Sequence, residues 1–228
     1  MKTNEEVINN IREWFKQSGS KTAVINVSGG ADSTYVAWCL VKALGKENVY
    51  ALIQPNGRQK DIDDALEVVN TLGVNFSVIN IETIYKTMVS NLKSNNKDML
   101  INLAPRIRMT LAYAQANAIN GRVIGTGNAS ERYVGYFTKW GDGACDFNPI
   151  KDICKTDLIQ MGLELGIPEH LIKKTPADGL TDKTDEEKYG FTYEVLDNYI
   201  KTGVCEDYKI KEKIDKMHKN SRHKFAEI

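Results

Sequence analysis

The sharpest chemical feature of the chain is Ser28-Gly29-Gly30-Ala31-Asp32-Ser33, set between a β-rich run and an apolar pattern at helical spacing. Paired glycines let the backbone approach an anion, N–H groups at a helix start point toward it, and the Ser28 and Ser33 hydroxyls add donors. This is a phosphate cradle. It lacks the lysine and the longer spacing of G-x-x-x-x-G-K-[ST], so it is not a Walker loop. Asp32 brings a carboxylate into the same turn, where it would repel phosphate unless a cation lay between them. The chemistry of the loop therefore implies a magnesium ion. The bland alternative is an ordinary glycine turn.

Aiming such a loop takes a strand before it and a helix after it. Residues 22–27 read as a short strand, and Val36, Ala37, Leu40, Val41 and Leu44 recur at helical spacing until Gly45. The unit repeats as a strand over 49–53, a helix through Ile62, Ala65, Leu66, Val69 and Leu72, and a strand over 76–81. Upstream, Thr3 and Glu6 form a capping box ahead of Val7, Ile8, Ile11, Trp14 and Phe15. Downstream, the pattern predicts a helix over 103–119 with Asn102 as N-cap and Pro105 in its first turn, then a strand over 122–124.

Residues 125–149 are irregular, glycine-rich and aromatic, and long loops of this kind in α/β domains usually carry function. Within them Tyr136, Phe137 and Trp140 read first as core or loop anchors. Helices are predicted over 155–165, 169–173, 191–200 and 207–220, with a polar stretch at 175–187. Strands alternating with helices predict an α/β fold, a doubly wound parallel sheet with helices on both faces, with residues 1–228 forming one domain.

Thirty basic and thirty acidic residues cancel, which argues against nucleic-acid or membrane-surface partners and for a small molecule. The apolar runs are interrupted well short of the ~20 residues of a membrane helix, and MKTNEEV contains no cleavable apolar segment, so a cytoplasmic location is expected. Cys39, Cys145, Cys154 and Cys205 include no C-x-x-C pair and read as free thiols, and His170, His218 and His223 form no metal-ligand pattern.

The S-G-G-x-D-S loop resembles the pyrophosphate-binding loop of the ATP pyrophosphatases, which cleave ATP between its α- and β-phosphates. More specific blocks resemble the ammonia-dependent NAD synthetases and run through nearly the whole chain in that family's order. They are Asn102 with the following LAPRIRM, Gly125-Thr126-Gly127-Asn128-Ala129-Ser130-Glu131, the GYFTKWGDG block ending at Gly143, Cys154-Lys155-Thr156, Pro176-Ala177-Asp178-Gly179-Leu180, the DEEKYGFTY block from Asp185, and His223-Lys224.

The resemblance implies an adenine nucleotide alpha hydrolase-like fold and a ligase that uses ATP, magnesium, ammonia and deamido-NAD. The nicotinate carboxylate would attack the α-phosphorus and expel pyrophosphate; ammonia would then displace AMP to give NAD. Carried over by position, Ser28, Gly29, Gly30, Ala31, Asp32, Ser33, Thr34 and Tyr35 hold the ATP phosphates together with Thr126 and Lys155. Asp32 and Glu131 ligate magnesium, and Asp32, Glu131 and Lys155 are the catalytic set. Arg106, Lys139, Asp146, His223 and Lys224 bind deamido-NAD, with His218-Lys219 as a second register for the last pair. The resemblance also implies a homodimer with the dinucleotide site at the subunit interface.

Each role has a plainer rival. Glu131 fits a solvated acid in a helix's first turn, and Arg106 and Arg108 fit the exposed face of a long helix. Relatives usually carry Ser or Thr where this chain has Ala177, which removes one expected hydrogen bond to ATP. The polar stretch at 175–187 is expected to act as a lid over bound nucleotide. With no amidase domain beside the synthetase blocks, free ammonia is the predicted nitrogen donor. Rival functions are another ATP pyrophosphatase, of tRNA-thiolating or GMP-forming type, and a nucleotide sensor without turnover.

Overall fold

A computed structural model describes residues 2–58, 62–174 and 184–225. Four strands, β1 (Thr22–Asn26), β2 (Val49–Ile53), β3 (Asn75–Val78) and β4 (Gly121–Ile124), form one parallel sheet in the order β3-β2-β1-β4. Alternate side chains of β1 serve two cores, as the period of two requires. Ala23 and Ile25 pack with helices α1 (Asn4–Ser18) and α2 (Ala31–Leu44), while Val24 packs with Leu52, Met109 and Ala112 beneath α5 (Lys97–Ala118). Helices therefore cover both faces, and the middle of β1, Ala23 to Ile25, is apolar and wholly buried.

The strand order reverses at β1. The chain builds outward through β2 and β3, then returns to place β4 on the other side of β1. Loops leaving the carboxyl ends of β1 and β4 diverge there and open a crevice. The two loops are those that follow Asn26 and Ile124, which hold the Ser28 and Gly125 blocks. This brings together segments about a hundred residues apart.

Several elements differ from expectation. The long helix begins at Lys97, because Asn96 is the N-cap, its side chain accepting from Met99 N at 3.0 Å. Asn102 lies inside the helix, bonding Asp98 O and the Thr138 hydroxyl. Pro105 is accordingly interior, at a cost of about 3 kcal/mol from its missing N–H, offset by the burial of Leu103, Ala104, Ile107 and Met109 around it.

Helix α4 (Glu82–Leu92) has no counterpart in the sequence reading and buries none of its residues. The irregular 125–149 segment contains a short helix, α6 (Ala129–Val134), opened by an Asn128 and Glu131 capping box. The remaining helices are α3 (Ile62–Leu72), α7 (Lys155–Glu164), α8 (Glu169–Ile172), α9 (Asp185–Tyr189), α10 (Tyr193–Thr202) and α11 (Tyr208–Ser221), with 3-10 turns at Lys46–Asn48 and Arg222–Lys224. The lid expected over 175–187 and Ala177 lie mostly outside the described residues; Thr184 onward caps α9. All four cysteines are free thiols, as read, and burial pushes Cys39 up to about 12, leaving it inert.

Candidate active site

The cradle is organised by its own serines. Gly29 takes φ +78°, a left-handed turn that suits glycine. Ser33 Oγ accepts from Ser28 N at 3.3 Å and donates to Gly30 O at 3.1 Å, closing the turn from within. Gly30 caps α2 without a side-chain bond, which leaves first-turn N–H groups and the positive end of the helix dipole facing outward. Ser28, Gly30, Ala31, Asp32 and Ser33 line a cavity of about 510 Å³, as do Thr126, Glu131 and Lys155. Tyr35 does not join them. Its hydroxyl donates to Asn4 Oδ1 at 2.8 Å within the main core, and Thr34 is wholly buried beside it.

Lys155 stands behind the cradle with 2 % of its surface exposed, its ammonium paired with Asp32 Oδ2. The other Asp32 oxygen accepts from Asn128 Nδ2 at 3.0 Å. Asn128 also accepts from Glu131 N at 2.9 Å and donates its own N–H to Glu131 Oε2 at 3.3 Å. One buried residue therefore holds both carboxylates, Asp32 through its side-chain amide and Glu131 through its backbone N–H. The sequence reading missed Asn128 as a site residue, although N-x-x-E after a strand is the signal of a capping box.

The charges are strongly coupled. Burial, and next the Asp32 charge, push the Glu131 carboxyl well above the usual range. Burial alone would lower Lys155, but the Asp32 and Glu131 carboxylates outweigh it and hold the ammonium above the ordinary lysine value. Asp185, buried at the start of α9, adds negative charge, and the Tyr193 ring lies 5.9 Å from Lys155 Nζ. Two carboxylates beside a phosphate cradle fit a hard cation that completes its shell with phosphate oxygens and water. Among the described residues no three His, Cys, Asp or Glu gather as a self-sufficient metal cage.

The far half of the cavity is lined by Asn102, Arg108, Tyr136, Phe137, Asp142 and Lys224. Lys224 Nζ donates to Gly135 O at 2.7 Å and Phe137 O at 2.6 Å. It reaches them because Gly135 has no side chain; a Cβ there would lie 2.0 Å from Ser221 Cβ. Arg108, for which the exposed face of a helix was the plainer alternative, faces the cavity and donates from Nε to Gln54 O at 2.9 Å. Asp142 was not singled out by sequence; desolvation by the cavity wall raises its carboxyl above the usual range, although the residue keeps part of its surface in water.

Four of the five residues expected on the dinucleotide do not line the cavity. Arg106 Nε donates to Lys139 O at 3.2 Å, Lys139 Nζ to His223 O at 2.8 Å, and His223 Nδ1 to Asn220 O at 2.8 Å. Asp146 Oδ2 accepts from Val123 N at 2.7 Å. These bonds link the 135–146 loop to α5, the C-terminal turn and β4. His218 bonds Tyr133 O and packs on that ring at 4.2 Å, so of the two late pairs only His223-Lys224 reaches the cavity, through its lysine. Tyr136 and Phe137 serve as anchors, edge-on to Tyr189 and Phe225, and as cavity wall; Trp140 is 55 % exposed and does neither.

A family model described as NAD synthase matches residues 3–228. A protein of Pyrococcus horikoshii named NH(3)-dependent NAD(+) synthetase is 40% identical over 235 residues, covering 96% of this chain and 91% of that protein. Among solved structures, an NMN synthetase from Francisella tularensis superposes with a TM-score of 0.93 at 34% identity, over 99% of this chain and 95% of that one. An NH3-dependent NAD synthetase from Campylobacter jejuni gives 0.82 at 30% identity, again over 99% and 95%.

Proposed function

This chain belongs to the NAD synthase family, and from that premise we propose how its residues divide the work of an ammonia-dependent NAD synthetase. The activity is that of a ligase forming a carbon–nitrogen bond, with ATP as co-substrate. The observation that carries the division is the single cavity in which the Ser28 cradle, the Asp32, Glu131 and Lys155 cluster, and the Arg108, Asp142 and Lys224 wall face one another.

ATP lies with its phosphates on the cradle, its charge met by the α2 N–H groups and the two serine hydroxyls. Asp32 and Glu131 would hold a magnesium ion, which would supply positive charge to offset the charge that builds on the phosphate oxygens. An oxygen of the nicotinate carboxylate attacks the α-phosphorus in line, the bond to the bridging β-oxygen breaks, and pyrophosphate leaves with the electron pair. Lys155, kept protonated by its carboxylate neighbours, leaves Asp32 for the departing oxygens and stabilises their charge. Ammonia then attacks the acyl carbon of the adenylate, gives up a proton, and expels AMP. The carboxylate had no leaving group that ammonia could displace; AMP is one.

In the far half, Arg108 and Lys224 meet the acid substrate's negative charges directly. Arg106, Lys139, Asp146 and His223 act on it from the rim, where a second subunit completes the site. A homodimer is supported by exposed apolar side chains. Ile84, Met88 and Leu92 form an i, i+4, i+8 stripe on α4, 40 %, 40 % and 51 % exposed, and Phe76 and Val78 are exposed on the edge strand β3. Residues 1–228 are treated as one synthetase unit. A cytoplasmic location is part of the proposal; among the described residues no helix is long and apolar enough to cross a membrane.

A second reading concerns the size of the acid. The TM-score of 0.93 to a protein named NMN synthetase favours acceptance of a nicotinate mononucleotide, which presents the same carboxylate without the AMP half. The experiment is to supply ATP, magnesium and ammonium with either acid and to follow amide product and AMP together. Equal amounts of both from deamido-NAD support the first reading, and a higher kcat/KM with the mononucleotide selects the second. AMP without either amide would overturn both.

A further inference from the structure

Glu131 and Lys155 sit on different helices, α6 and α7, and nothing in either helix fixes their separation. A third helix does. Asp197, on α10 and 1 % exposed, accepts from the Ser130 hydroxyl on one carboxylate oxygen. Its other oxygen accepts from Thr156 N and Thr156 Oγ1, both at 2.8 Å. Ser130 Oγ in turn accepts from Lys155 N at 2.9 Å. The residues so bonded are the immediate neighbours of Glu131 and Lys155, together with the backbone of Lys155 itself.

We propose that Asp197, acting through Ser130 and Thr156, is a positioning residue for the proposed reaction, setting the spacing of Glu131 and Lys155 across the ATP phosphates. The inference rests on the roles given above to those two side chains. Helix α7 supplies no cap of its own, since Cys154 makes no side-chain bond to it. Its first N–H groups are satisfied instead by a serine 25 residues upstream and a carboxylate 41 residues downstream. A full charge at that end also complements the helix dipole. Tyr193, one turn before Asp197 on the same face of α10, lies against the Lys155 ammonium. One helix thus holds both ends of Lys155. Displacement of a reacting group by ~1 Å costs about a hundredfold in rate, so the bracket's effect falls on turnover.

The test measures kcat, KM for ATP and Tm for Asp197→Asn, Ser130→Ala, Thr156→Val and Thr156→Ser. Ser20→Ala is the control, a buried hydroxyl bonded to Asn120 O away from the cavity. Each variant is compared with Lys155→Met and Glu131→Gln. The first three variants are expected to lose roughly 30-fold or more in kcat with KM for ATP within about threefold. Thr156→Ser, which keeps the hydroxyl, stays near wild type. In a Lys155→Met background Asp197→Asn adds less than about twofold, because its effect passes through the lysine.

A lowered Tm with unchanged kcat, as expected of Ser20→Ala, would reduce the bracket to a structural role and overturn the proposal. So would a full, multiplicative loss in the Lys155→Met background. Should Asp197→Asn fail to fold, Thr156→Val, which leaves the carboxylate and its two other bonds in place, decides. Near-normal turnover in Lys155→Met and Glu131→Gln would instead overturn the catalytic reading itself, and the two failures are thereby told apart.

Discussion

The two halves of the cavity are built by different means. Around Asp32 every charged group already has a protein partner at close range: Lys155 and Asn128 on Asp32, Asn128 on Glu131, Asp197 on the turn that carries Lys155. In the far half Lys224 and Arg108 bond backbone carbonyls, and Arg106 and Lys139, outside the cavity, do the same and join its loops. The half around Asp32, proposed for the nucleotide, is preorganised by side chains within this chain. The far half, proposed for the acid, is a frame of loops whose charges face the cavity only in part. Preorganised charge acts on the transition state, whereas a loop frame chiefly governs binding.

The sharpest way to break this contrast is Lys155→Met. Loss of this buried ammonium should lower kcat by about 10³-fold with little change in KM, read from coupled NAD and AMP formation. Asp32→Asn should follow at about a hundredfold or more. Because both Asp32 oxygens already have partners in the free protein, magnesium alone should give no heat on titration and should bind only with ATP. Tight metal binding to the free protein would show that the cluster is less closed than its geometry.

Smaller effects belong to the other half. Lys224→Met should raise KM for the acid substrate by about tenfold while kcat changes less than threefold, and Arg106→Ala should do the same more weakly. A loss confined to kcat in either would erase the distinction between the halves. The smallest effect is on stability. Desolvation raises the folded-state Asp142 carboxyl above its unfolded value, so the folded form gains most when the group is protonated. That contribution is present at low pH and is lost as pH rises through the raised folded value. Asp142→Asn, which can still accept from Thr138 N, should therefore raise Tm at neutral and alkaline pH by no more than about 1–2 °C, because the residue keeps part of its surface in water, with little change in acid. An unchanged difference in Tm across pH would refute it.

Much of the nucleotide half was legible because its signals are local. Two glycines, two serines and an aspartate in six residues specify a turn whatever surrounds them, and Thr3, Gly45 and the strand periods mark their elements by short-range rules. Helix α4 was missed although Tyr85 and Val89 recur at helical spacing, and its start is set by the Asn80 side chain accepting from Glu82 N. The beginning of α5 was misplaced because Pro105 was assumed to need a first-turn position, whereas burial around it carries the missing bond.

The sequence by itself determined the glycine and serine turn that carries Asp32 and the parallel α/β alternation, which follow from residue type and from periods of two and 3.6 acting over a few residues. Glu131 and Lys155 were singled out only by the resemblance of their blocks to a family, not by any local period. Only the tertiary structure decided that Arg108 rather than Arg106 faces the cavity, that Tyr35 turns into the core, and that Asn128 and Asp197 brace the charged cluster from 96 and 41 residues away. Those choices depend on which way a side chain leaves its helix and what meets it there. Such contacts arise when the strand order reverses at β1 and brings distant segments together, and no local pattern encodes them.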